Sequence, residues 1–123
     1  VRHERAQGPL GDPEVQGRLK ELGVKVDSQQ AADFDAVMRM PQGRRFFYVL
    51  VFLIGHLESP SYDNSGQSMA FREGRRSVAI ELRDWALAVC PDLWLEMISE
   101  QISAAQQKAE ERRNAARKEE QST

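Results

Sequence analysis

Apolar residues recur along most of this chain at spacings of three and four, a period that predicts helices rather than strands. Val15, Leu19 and Leu22 fall at i, i+4 and i+7. Asp12 stands where a short helix over Pro13–Leu22 needs its N-cap, Pro13 suits the first turn, and Gly23 suits the stop. Around that helix, Gly8, Pro9, Gly11, Gly17 and Gly23 exclude a long regular element before about residue 28. Residues 1–27 therefore read as an irregular N-terminal segment that docks beside the core rather than building it.

A second helix is expected from a Ser28 cap to Met40, with Ala32, Phe34, Val37, Met38 and Met40 as apolar positions. Pro41 disfavours helical geometry at Met40, so a new helix should start at Pro41 and run to Leu57. The uninterrupted apolar run Phe46–Ile54 within it has no amphipathic period. It fits a helix buried on nearly every side or a central strand. Leu/Phe content and length favour the helix, while Val49, Val51 and Ile54 keep the strand open. Residues 58–66 are a loop by composition. The next helix is expected from Ser68 to Val89, where Phe71, Val78, Leu82, Trp85 and Val89 form a heptad-like stripe. Cys90-Pro91-Asp92 ends it, and Trp94, Leu95, Ile98 and Ile102 mark a last helix.

No paired alternation of period two appears, so the fold class is all-α: a small helical bundle or set of helical hairpins over residues 28–103. The expected packing residues are Phe46, Phe47, Leu50, Leu53, Phe71, Val78, Leu82, Trp85, Trp94 and Ile98. From residue 104 the apolar side chains shrink to alanine among Gln, Lys, Glu and Arg. Such a sequence forms helix readily but frays unless something packs against it. Residues 104–123 thus extend the last helix outward as a polar rod.

The chain has 123 residues, 17 Lys+Arg against 19 Asp+Glu and a net charge of −2, which suits one domain and argues against a dedicated nucleic-acid coat. A single cysteine, Cys90, excludes an intrachain disulfide, and two histidines with it fall short of a common zinc site. No apolar run approaches the roughly 18–20 residues that span a bilayer, and no secretory h-region lies in the first 30 residues. No membrane-spanning segment and no cofactor is implied, and the default compartment is the cytoplasm or an assembly built there.

Charge becomes informative when it is read by position. Every base between residues 41 and 107 is arginine, and the tripeptide Gly-Arg-Arg occurs twice, at Gly43-Arg44-Arg45 and Gly74-Arg75-Arg76. Arginine's planar fork suits carboxylate or phosphate in fixed geometry. Two readings stay open: an anion or DNA contact, or pairing between helices with acids such as Glu73, Glu81, Glu96 and Glu100. Gly43 in a first turn leaves amides that an anion can use. Gly74 in mid-helix costs about 1 kcal/mol relative to alanine, which points to close helix approach or a ligand at that backbone. Catalysis finds little support. The serines Ser59, Ser61, Ser65 and Ser68 follow His56 but form no nucleophile elbow. His56 reads as a partly buried residue or a helix C-terminal dipole partner, and Cys90 as a small buried hydrophobe. A helix-turn-helix from the last two helices remains possible, although Cys-Pro-Asp matches its turn poorly.

Four segments carry a resemblance: Asp33-Phe34, Met40-Pro41-Gln42-Gly43-Arg44-Arg45-Phe46, Met69-Ala70-Phe71-Arg72-Glu73-Gly74-Arg75-Arg76, and Cys90-Pro91-Asp92-Leu93. In this order they resemble a small family of tailed-bacteriophage proteins of the Bordetella podophage type, often encoded in the head-morphogenesis region. The resemblance spans roughly residues 33–100. Family members usually read Thr-Pro-x-Gly-Arg-Arg and Asn-Glu-Gly-Arg-Arg-Asn-Val, where this chain has Met40, Arg72 and Ser77. The resemblance implies a virion or virion-assembly role and carries over no catalytic residue. The expectation is a non-enzymatic structural or internal virion protein that forms a homo-oligomer and meets portal, capsid or tail proteins. A packaging or regulatory factor that holds DNA through the two Gly-Arg-Arg motifs is the alternative, and a transient scaffolding protein is a third.

Overall fold

The structure, a computed structural model, describes residues 8–58 and 66–122. A 3-10 turn at Gly8–Gly11 precedes α1 (Pro13–Leu22), α2 (Ser28–Arg39) and α3 (Pro41–Tyr48). α3 passes directly into a π-helical stretch, Val49–Ile54. Two long helices follow, α4 (Gly66–Val89) and α5 (Pro91–Ser122). The described residues contain no strand, so the all-α expectation holds and the strand alternative for 46–54 is removed. Most of the loop expected at 58–66 lies outside the described residues.

Local chemistry sets the helix ends. The Asp12 carboxylate accepts the Glu14 N–H at 2.9 Å, and Gly23, at φ 69°, closes α1 in a left-handed turn. There the Val24 N–H reaches Leu19 O at 2.9 Å. α2 is capped by Asp27 and not by Ser28. Asp27 Oδ1 accepts the Gln30 N–H at 2.8 Å, while Gln30 Oε1 accepts the Asp27 N–H at 3.0 Å. Only Asp27 has a glutamine three residues on to return the bond, so the reciprocal box fixes the start one residue earlier than a lone serine would. Met40 stays extended at ψ 133° before Pro41, as a residue preceding proline should.

The core joins every helix. Phe34 of α2 meets the Phe47 ring edge-on at 5.2 Å and Trp85 of α4 at 6.0 Å. Trp94 of α5 meets Phe47 at 6.3 Å and Phe52 at 5.8 Å. Met38, Met97 and Val51 are the largest side chains sealed completely within this network. Val15 and Leu19 belong to the same buried cluster, so α1 contributes to the core and does more than dock beside it. Arg18 strengthens that attachment by donating from Nε to Ala88 O at 3.0 Å.

The apolar run 46–54 is not buried on every side. Phe47 and Val51 are buried, whereas Phe46 and Leu53 are 62% and 58% exposed. The π stretch ends where the chain must pass close to α4. A Cβ on Gly55 would stand 2.6 Å from the Ala79 Cβ, so only glycine allows this approach. His56 then adopts φ 52°, and the Leu57 N–H reaches back to Val51 O at 3.2 Å. His56 is thus an exposed residue in the left-handed stop position usually held by glycine, and not the partly buried histidine expected. Leu57 behind it is buried.

α5 begins one residue after α4 ends, with Cys90 alone at the corner. Its first turns bury Trp94 and Met97, and beyond Ile102 almost every residue is exposed through Ser122. At about 1.5 Å per residue this helix is roughly 48 Å long, so its distal part is a solvated rod. Among the described residues, no helix is long and apolar enough to cross a membrane.

Candidate functional site

The first Gly-Arg-Arg stands where α2, α3 and α5 meet. Pro41 starts α3 immediately after α2, so the two axes come very close at Gly43. A Cβ there would fall far inside contact distance of the Val37 carbonyl oxygen and 2.9 Å from Val37 Cγ1. This glycine permits the tight corner, and its neighbour uses the space beneath it. Arg44 is only 5% exposed. Its Nη1 donates to Met38 O at 2.9 Å and Arg39 O at 3.1 Å, supplying donors to carbonyls at the end of α2. Its Nε and Nη2 grip the Glu100 carboxylate at 2.7 and 3.1 Å, and Nη2 also lies 3.5 Å from Glu96.

That geometry decides between the two readings of Arg44. Its guanidinium is fully engaged by two carbonyls and two carboxylates, which leaves no face for a phosphate. Pairing between helices is the reading that holds. The hydrogen bond from Arg44 holds the Glu100 carboxyl below the usual carboxylate range, against the opposing effect of desolvation. The same bond raises the Arg44 guanidinium further above its ordinary value. Arg45, beside it, is exposed.

The second Gly-Arg-Arg is a different object. A Cβ on Gly74 would meet nothing within 4 Å, so the close helix approach expected at this mid-helix glycine is absent among the described residues. The Arg75 guanidinium lies over the exposed Phe71 ring, 5.0 Å from its centroid, and its Nε is sheltered without a hydrogen-bond partner. Arg76 turns the other way, donating from Nε to Leu57 O at 3.3 Å and pairing with Glu73 at 3.6 Å. Arg76 thereby ties α4 to the end of the π stretch. Arg18, Arg44 and Arg76 play the same part in three places. Each brings its guanidinium to carbonyls at or just past the C-terminal end of another helical element, where the dipole is negative.

The packing residues divide in the same way. Phe47 and Trp94 are buried; Leu82, Trp85, Ile98 and Leu50 are half-buried. Phe46, Leu53, Phe71 and Val78 are exposed, contrary to the expectation that they fill the core. Phe71 and Val78 lie on the α4 stripe, yet both remain more than half exposed. Between α2, α3 and α4 the surface opens into an apolar groove of about 400 Å³, whose wall includes Val37, Phe46, Leu50, Leu82 and Trp85. Sequence patterning found these residues but not their common opening, because periodicity cannot say which stripe has a partner.

The remaining sites offer less chemistry. Burial, with the nearby Asp35 charge, pushes the Cys90 thiol up to about 12, so it stays protonated near neutrality. Ser59, Ser61 and Ser65 lie outside the described residues, and Ser68 is exposed. An open cleft of about 670 Å³ between α1, α2 and the start of α5 contains Arg18, Arg39 and Asp35, but Arg39 is already bound to Asp35 at 2.6 Å. The one-residue joint at Cys90 is not the three- to four-residue turn of a helix-turn-helix. Among the described residues no cluster of three or more His, Cys, Asp or Glu side chains is placed to hold a metal ion. No protein-family model, curated protein or solved structure matches the chain.

Proposed function

We propose that this protein is a non-enzymatic assembly component, a structural or internal protein of a tailed-bacteriophage particle that packs as an oligomer within the head, portal or tail. The observation that carries the reading is a well-filled core that nevertheless leaves Phe46, Leu53, Phe71 and Val78 each more than half exposed. Large apolar side chains exposed on a small domain, one of them in the wall of an apolar groove, support an interaction role. The projecting α5 rod adds a second element that gains stability only from neighbours. The phage assignment itself is supported by the four resembling segments.

The alternative of a DNA-packaging or regulatory factor keeps less support, since Arg44 and Arg76 hold helix ends. Quantitative mass spectrometry of purified particles of the encoding phage, and of their assembly intermediates, tests the proposal. Several copies per mature particle are expected. Presence in intermediates alone would point to a scaffold, and absence from both would refute the assembly role.

A further inference from the structure

We propose that the exposed face of α4 binds a second copy of this chain, antiparallel, about a two-fold axis beside Val78. This deepens the assembly reading by naming a partner, and rests on that reading only for its biological purpose. Phe71 and Val78 are 67% and 57% exposed, and they continue into the half-buried Leu82 and Trp85 along one helical stripe. A two-fold axis at Val78 brings residue 78 + k of one copy level with residue 78 − k of the other. Interfaces of this isologous kind require a surface complementary to itself.

The α4 sequence meets that requirement in each layer. Val78 meets its own copy. Arg75 comes level with Glu81, and Glu81 with Arg75, so opposite charges align twice. Of the two charges that flank Val78 on this face, Arg75 stands in the first half of the helix and Glu81 in the second, so a parallel pairing in register would set like against like. Gly74 comes level with Leu82, which gives the exposed mid-helix glycine a purpose: the open space at its missing side chain receives a leucine. Phe71 comes level with Trp85, at the mouth of the apolar groove lined by Leu82, Trp85, Phe46 and Val37. Phe71 is an exposed aromatic side chain outside the groove, and the groove is the vacancy of matching chemistry, about 21 Å away along the same helix. One copy cannot join them, whereas two copies join them twice.

Charge-swapped full-length variants test this in sedimentation equilibrium across a hundredfold range of concentration. The unaltered chain should pass from monomer to dimer. Arg75→Glu and Glu81→Arg should each weaken the dimer by about tenfold or more, through like charges placed face to face, and the double variant should recover most of the loss. Circular dichroism of each variant confirms that it is folded. Val78→Asp should leave a folded monomer. A chain that stays monomeric throughout, or a dimer indifferent to all of these changes, overturns the inference. A monomer found in multiple copies in particles would sink this inference and spare the assembly role; a dimer absent from particles would do the reverse.

Discussion

Two identical tripeptides, 31 residues apart, do opposite work in this fold. At Gly43-Arg44-Arg45 the glycine lets two helices touch, and the first arginine disappears beneath them to bind two carbonyls of α2 and two carboxylates of α5. At Gly74-Arg75-Arg76 the glycine faces open space, and the first arginine rests on an exposed aromatic ring. The difference lies in what surrounds each motif. The first follows Pro41 at a corner between helices, so its residues must point into a junction. The second sits inside an unbroken helix of 24 residues, where Gly74 and Arg75 lie beside the exposed Phe71 while Arg76 turns back to Leu57. A short motif therefore names available chemistry, and its position relative to helix ends decides how that chemistry is used.

The largest effect expected from this contrast is at the arginines. Arg44→Ala strips donors from two α2 carbonyls and the partner from Glu100, and should cost about 2–3 kcal/mol in urea denaturation. Arg75→Ala removes a contact with one exposed ring and should cost less than about 1 kcal/mol for the monomer. Arg44→Lys should recover little, since an ammonium cannot span the carboxylate and both carbonyls at once. Equal losses at the two positions would break the comparison.

A smaller effect, of opposite sign, is expected at the junction that Arg76 serves. His56→Gly removes a side chain from a left-handed position and should stabilise the fold by about 1 kcal/mol, read as a raised melting temperature. The smallest is the pH dependence at Glu100. Its pKa is lowered in the folded state, so its contribution is present above the unfolded carboxylate range and lost as pH falls through the folded value. Comparison of Glu100→Gln with the unaltered chain should show a stability gap at neutral pH that closes in acid. The gap should be modest because the Glu100 side chain is 38% exposed. A gap that widened in acid would contradict the Arg44–Glu100 assignment.

Much of the architecture was legible in the spacing of apolar residues. Asp12, Pro13 and Gly23 bounded α1, Pro41 separated α2 from α3, and Cys90-Pro91 divided the two long helices. Three features were not legible, for physical reasons. The π stretch comes out of a run with no period to follow, and its end depends on a tertiary contact between Gly55 and Ala79. The Asp27 cap outcompetes Ser28 through Gln30, a pairing readable only when both candidates are compared. The exposure of Phe71 and Val78 could not be read at all, since a stripe awaiting a partner has the same spacing as one already buried. For the site, sequence identified Arg44 and Glu100 as possible partners but could not choose Glu100 among the available acids.

The central claim, that the first motif is internal structure and the second is an open face, meets its most direct test in the two glycines. Gly43→Ala and Gly74→Ala should be denatured in urea side by side, at concentrations low enough to keep the chain monomeric. The predicted results have opposite signs. Gly43→Ala should lose about 1–3 kcal/mol through the clash with Val37, and Gly74→Ala should gain up to about 1 kcal/mol from helix propensity. Shifts of the same sign, or a Gly43→Ala variant as stable as the unaltered chain, would contradict the account.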